Sequence, residues 1–163
     1  MFSKRRLSHA RGYLELGLVA EAAAELDRIP AEDSAGSEVV AVRLAVLQEQ
    51  KNWPALAALA GDFVRCVPGE AAAWVTWAYA TRRADSLAAA EKILLEAEAL
   101  HPTEPTIQFN LGCYACQRGD LASARLRVDR AVELDPHFAA AAAIDPDLAP
   151  LRELSREGET SSP

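Results

Sequence analysis

Apolar positions in residues 105–136, PTIQFNLGCYACQRGDLASARLRVDRAVELDP, fall into two runs parted by Gly119-Asp120 and closed by Asp135-Pro136. In the second run Ala124, Val128 and Ala131 stand at i, i+4 and i+7, with Arg125, Arg127, Asp129 and Arg130 between them. That is the single apolar stripe of a short amphipathic helix. The pattern predicts two helices joined by a tight turn and stopped by proline.

Moved back in steps of 34 residues, the pattern matches three more times without an insertion. Small or apolar residues recur at Ala10, Leu44, Ala78 and Gly112, where two helices must approach closely. The second-helix stripe recurs as Ala22, Leu56, Ala90 and Ala124, then Leu26, Ala60, Leu94 and Val128, then Ile29, Phe63, Ala97 and Ala131. Helix stops recur at Pro68, Pro102 and Pro136. Alanine is common here, so one column alone decides little, whereas many columns in one register define a repeat array. The register gives repeats near residues 3–36, 37–70, 71–104 and 105–138 in one domain spanning 3–156.

The departures are local. Arg6 stands where the second and third repeats have Val40 and Trp74, His9 and Arg43 stand where the third and fourth have Trp77 and Leu111, and Pro30 cuts the second helix of the first repeat short. Lys51 replaces the turn glycine, so Asn52-Trp53-Pro54 is expected to make that turn. Residues 31–37, AEDSAGS, form the loosest internal connection. After Pro136 the repeat ends. An Ala-rich helix over 137–144, a stop at Asp145-Pro146-Asp147 and a short helix over 148–156 capped by Asp147 are expected to cover the last repeat. Residues 157–163 are polar and small and are expected to be disordered.

These columns resemble the signature of the tetratricopeptide repeat (TPR) family. The fourth repeat carries it in Leu111-Gly112, Gly119-Asp120, Ala124, Val128, Ala131 and Pro136, and the third in Trp74, Trp77, Ala78, Ala90, Leu94, Ala97 and Pro102. The closing run AAIDPDLAPLREL is similar to the end-of-group segment of bacterial members. The resemblance implies an all-α fold, a right-handed α-α superhelix in which the first helix of each pair lines a concave groove. It places Val42, Ala45, Val75, Tyr79, Arg82, Arg83, Phe109, Asn110, Cys113 and Gln117 in or along that groove, extended by Leu7 and Arg11. Such a groove suits an extended peptide or an amphipathic helix, with Tyr79, Phe109 and Val75 as apolar anchors and the two arginines orienting an acidic segment. The packing alternative is that Tyr79 and Phe109 contact each other or the C-terminal cap. Some members clamp a chaperone's C-terminal carboxylate with a fixed Lys/Asn/Arg set, of which only Asn110 is matched here, so that activity is not expected.

Composition narrows the class. With 163 residues, half of them hydrophobic, the chain can bury one continuous core. Seventeen basic against 24 acidic residues and no basic stripe argue against nucleic acid as a partner. No apolar run approaches the roughly 20 residues of a bilayer span, and Lys4-Arg5-Arg6 is not followed by the apolar core of a signal peptide. Three cysteines fit a reducing cytoplasm.

Candidate chemistry is thin. Cys113 and Cys116 form C-x2-C inside a helix, with Cys66 in another repeat and His101 and His137 beside prolines at helix ends, so the pair reads as packing and not as a metal or redox site. Ser8-His9 lacks a placed acid, and Glu15, Glu21 and Glu25 read as a solvated helix face. No phosphate loop or HExxH is present. The expectation is therefore a non-enzymatic, cofactor-free, cytoplasmic bacterial binding module. A type III secretion-like chaperone or a self-associating adaptor, including a homodimer, stand as alternatives.

Overall fold

The computed structural model describes residues 2–160, all of whose regular structure is helical. Helices α1 (Phe2–Glu15) and α2 (Val19–Asp27) form the first hairpin, and a single turn, α3 (Ala31–Ser34), leads to the next. The later hairpins are α4 (Ser37–Glu49) with α5 (Trp53–Cys66), α6 (Ala71–Ala84) with α7 (Leu87–Leu100), and α8 (Pro105–Gln117) with α9 (Leu121–Leu134). Then come α10 (Phe138–Ile144), a 3-10 turn (Pro146–Leu148) and α11 (Ala149–Thr160). First helices begin at Ser37, Ala71 and Pro105, and second helices at Val19, Trp53, Leu87 and Leu121, so the period of the sequence is kept by the backbone. In each hairpin the second helix also packs on the first helix of the next, α2 on α4, α5 on α6 and α7 on α8. A stack of this kind is an α-solenoid.

The helix starts show how the sequence writes the period. Asn52, Ser86 and Asp120 accept hydrogen bonds from the backbone N–H of Ala55, Ala89 and Ser123, at 3.4, 3.2 and 3.1 Å. Each therefore caps the open donors of a second helix. Leu18 stands in the same column with the cap's backbone angles (φ −87°, ψ 70°, against −84° and 75° at Asp120) but accepts nothing. Leu18 is also 41% exposed. Leu18→Asp should therefore stabilise the protein by about 1 kcal/mol, read as a rise of about 2–4 °C in thermal midpoint by circular dichroism.

The turn before each cap differs in a similar way. Gly17 and Gly119 take left-handed φ of 73° and 82°, and Lys51 takes that conformation itself at φ 54°. The turn is thus made at Lys51, with Asn52 as the cap and Pro54 in the first helical turn, not by Asn52-Trp53-Pro54 alone.

Three apolar clusters form the core. The first hairpin closes Leu7, Ala10, Ala22, Leu26 and Ile29 on Val39, Val42 and Val46 of α4. Val40 and Leu44, on another face of α4, join Leu56, Ala60 and Ala80. The third and largest cluster runs through α6 to α9 and ends on Leu148 and Leu151 of the cap. Gly112 lets α8 approach α9, since a β-carbon there would lie 2.9 Å from Val128 Cγ2. The polar departures prove to be paired. Glu25 is buried rather than solvated and accepts two hydrogen bonds from Arg6, at 2.8 and 3.0 Å, and one from Arg28. The Arg6 hydrogen bonds hold its carboxyl below the ordinary value. Arg43 donates at 2.8 Å to the Leu26 carbonyl at the end of the short α2, which also accepts from the Ile29 N–H at 3.1 Å.

In the C-terminal segment the cap is Asp145, whose carboxylate accepts from the Asp147 N–H at 2.8 Å, and not Asp147. Helix α11 continues past residue 156 to Thr160, because once a helix is nucleated each further residue adds a hydrogen bond. Residues 161–163 of the expected disordered tail lie outside the described residues.

Candidate functional site

Residues on the inner side of α6 and α8 build a cleft whose far wall is the C-terminal turn. Tyr79, Arg82, Arg83, Asn110 and Tyr114 line it opposite Asp145, Pro146 and Asp147. The cleft encloses about 470 Å³. Tyr79 is the exposed aromatic, at 37%. Its ring meets the edge of Trp53 from the preceding repeat, with centroids 5.7 Å apart at 75°. The Arg83 guanidinium lies 3.4 Å from the Tyr79 centroid and 5.2 Å from that of Trp53, and donates to the Tyr79 carbonyl at 3.2 Å. No carboxylate among the described residues pairs with Arg83. A stacked cation next to an exposed aromatic on an acidic chain gives the site both apolar area and directional charge.

Arg82 lines the same cleft but is engaged by the C-terminal turn. Its guanidinium pairs with the Asp147 carboxylate at 2.5 Å and lies 5.2 Å from the Tyr114 ring centroid. The hydrogen bond to Asp147 raises its pKa further. Gln117 donates to the Asp147 carbonyl at 3.1 Å. Two of the residues expected to face a ligand are therefore engaged by the chain's own C-terminal turn.

The other residues divide. Phe109 is buried, its ring 5.0 Å from that of Phe138 in α10, which is the packing alternative realised by the cap. Cys113 is buried beneath the same segment, and burial, with Asp145 and Asp147 nearby, pushes its thiol up to about 12, so it stays protonated. Cys116 is buried beside it. Val42 and Leu7 lie in the first core cluster, out of reach of a ligand. Val75 is half-buried against the main core. Ala45 remains open in a shallow trough between α4 and α6, which Ala41 and Ala72 also line, and Arg11 at its rim pairs with Glu38 at 3.4 Å. Tyr79, Arg83 and Asn110 thus remain presented, with Arg82 behind a carboxylate. The periodic reading missed Trp53, Tyr114 and Asp147, of which Trp53 had a visible signal as an aromatic one residue after the cap.

Among the described residues no group of three or more His, Cys, Asp or Glu is placed to hold a metal ion, and no helix is long and apolar enough to cross a membrane.

No family model matches the sequence, and no curated protein does. Solved structures do match. A MamA from Desulfovibrio magneticus RS-1, residue 41 to its end, superposes with a TM-score of 0.72 at 18% identity, covering 83% of this chain and 76% of that one. The structure titled functional characterization of Pseudomonas aeruginosa PilF gives 0.75 at 19% identity, covering 96% and 70%. A MamA of strain MSR-1 gives 0.61 at 15%, covering 99% and 97%. MamA and PilF are TPR-repeat proteins, and at these identities what the chain shares with them is the fold, an all-α TPR solenoid.

Proposed function

We propose that the protein is a non-enzymatic interaction module that holds a peptide or helical segment of a protein partner against the inner face of α6 and α8. The observation that carries this reading is the open Tyr79–Arg83–Trp53 cluster, which exposes aromatic area and a cation without an acidic mate. Burial of such a cluster by a partner is the usual source of a binding hot spot. The net charge of −7 favours a protein partner over nucleic acid, and a reducing cytoplasm is the compartment that fits three free thiols.

The test is affinity capture of binding partners from the native host with wild type, Tyr79→Ala and Arg83→Ala as baits. A specific partner should fall by about tenfold or more with each variant, since truncating a hot-spot residue costs about 2 kcal/mol or more. Unchanged capture by two well-folded variants would place the binding face elsewhere. Phe109→Ala is not a suitable probe, because Phe109 is buried against Phe138 and its truncation lowers stability as well as any binding.

A further inference from the structure

The C-terminal turn carries a consequence for what the cleft recognises. Asp147 puts a carboxylate on Arg82, at 2.5 Å, inside a cleft whose second arginine has no carboxylate. The amide of Asn110, which lines the same cleft, has no side-chain partner among the described residues. The Arg82–Asp147 pair is only partly covered, with side chains 30% and 26% exposed. Yet the turn does not depend on it. The Asp147 carbonyl is held by Gln117, the Asp145 carboxylate caps the Asp147 N–H, and Arg152 donates to the carbonyls of Ala142 and Asp145 at 3.0 and 2.7 Å. Leu148 and Leu151 are buried in the main core. The Asp147 side chain can therefore turn away while the segment stays docked. Arg82 would remain aimed into the cleft by its position over the Tyr114 ring.

We propose that the cleft is a receptor for an acidic segment of a protein partner, and that Asp147 is a resident competitor whose carboxylate the partner's carboxylate replaces on Arg82. This rests on the interaction-module reading and adds the partner's chemistry to it. Charge complementarity selects the occupant. With Asp147 swung out, Arg82 and Arg83 present two guanidinium groups on one wall, flanked by Tyr79 and by the free amide of Asn110. An acidic segment satisfies both cations, whereas a basic one would meet them unscreened. Because the competitor is part of the chain, its removal raises the fraction of receptor that is ready to bind, and apparent affinity rises in proportion.

The probe is a fluorescein-labelled peptide with the sequence of residues 143–149, AIDPDLA, and its control replaces both aspartates by asparagine. Fluorescence anisotropy is measured against the full chain at low salt. Asp147→Ala should bind the acidic probe about two- to fivefold more tightly than wild type, the range expected for one partly exposed ion pair. The gain should vanish in Asp147→Ala with Arg82→Ala, weaken with Arg83→Ala, and be absent for the asparagine peptide. The thermal midpoint of Asp147→Ala should stay within a few degrees of wild type, showing that the cap remains docked. Equal affinities of wild type and Asp147→Ala, no binding by either, or a gain that survives loss of Arg82, would each overturn the proposal. If any of these occurs while Tyr79→Ala and Arg83→Ala still lose the captured partner, the interaction-module reading stands and only the acidic specificity and the competitor role of Asp147 fall.

Discussion

Leu94→Ala should lower the unfolding free energy by about 2–5 kcal/mol, whereas Leu95→Ala, one residue on, should change it by about 0.5 kcal/mol or less. Leu94 is fully buried in the middle of α7, in the cluster that joins α6 to α9. Its truncation removes about three methylene equivalents from a close-packed interior and leaves a cavity that the neighbouring helices can only partly fill. Leu95 is 45% exposed on the same helix and has little packing to lose. Urea denaturation followed by circular dichroism at 222 nm gives both numbers. Because each repeat stabilises its neighbours, the loss at Leu94 should lower one cooperative transition and not split it. Similar shifts for the two variants would mean that the α7 register is wrong.

The second large effect is expected at Gly112. Its missing side chain is required by contact and not by backbone angle. A β-carbon would stand 2.9 Å from Val128 Cγ2 and 3.3 Å from both the Ala124 carbonyl oxygen and the Val128 nitrogen. Val128 is itself buried, and the other two atoms are backbone of α9, so there is little to give way. Gly112→Leu should cost about 1–3 kcal/mol by overpacking, despite the better helix propensity of leucine. Gly12 is the built-in control. Nothing lies within 4 Å of the β-carbon it would gain, so Gly12→Ala in α1 should stabilise by about 0.5–1 kcal/mol. Opposite signs at the two helical glycines, in the same urea assay, are the expected outcome.

Much of the fold is legible in the sequence because each repeat states the same packing problem. The columns of Ala10, Leu44, Ala78 and Gly112, and of Leu26, Ala60, Leu94 and Val128, are contacts within one hairpin, and they recur since the hairpin recurs. The caps at Asn52, Ser86 and Asp120 recur for the same reason. What the period cannot report is a contact made once. Phe109 and Cys113 stand in columns that face the groove elsewhere, and they are covered by a segment that lies outside the repeats. Val42 is covered by the first hairpin, which packs on α4 through Leu7, Leu26 and Ile29. Tyr79 and Arg83 stay exposed, since no residue of the cap buries them.

The Arg6–Glu25 pair has a further consequence. Counted along the period, Arg6 shares a column with Val40, Trp74 and Gln108, and Glu25 shares one with Leu59, Ile93 and Arg127. The two columns change together. In the second and third hairpins both members are apolar, and in the first and fourth both are polar and bonded to each other, Arg6 to Glu25 and Arg127 to Gln108, where Glu98 completes the set. A chain of near-identical hairpins can fold with helices exchanged, the standing hazard of repeat proteins. Were α1 to take α5 as its mate, Arg6 would lie against Leu59, and the buried Glu25 would lose the two hydrogen bonds from Arg6 and keep only the one from Arg28, an arrangement costlier than a poor apolar fit. The polar pairs therefore act as matched addresses for the two outermost hairpins, so each first helix finds its own second helix. A repeat-consensus redesign that replaced Arg6 alone would erase an address and strand its reader.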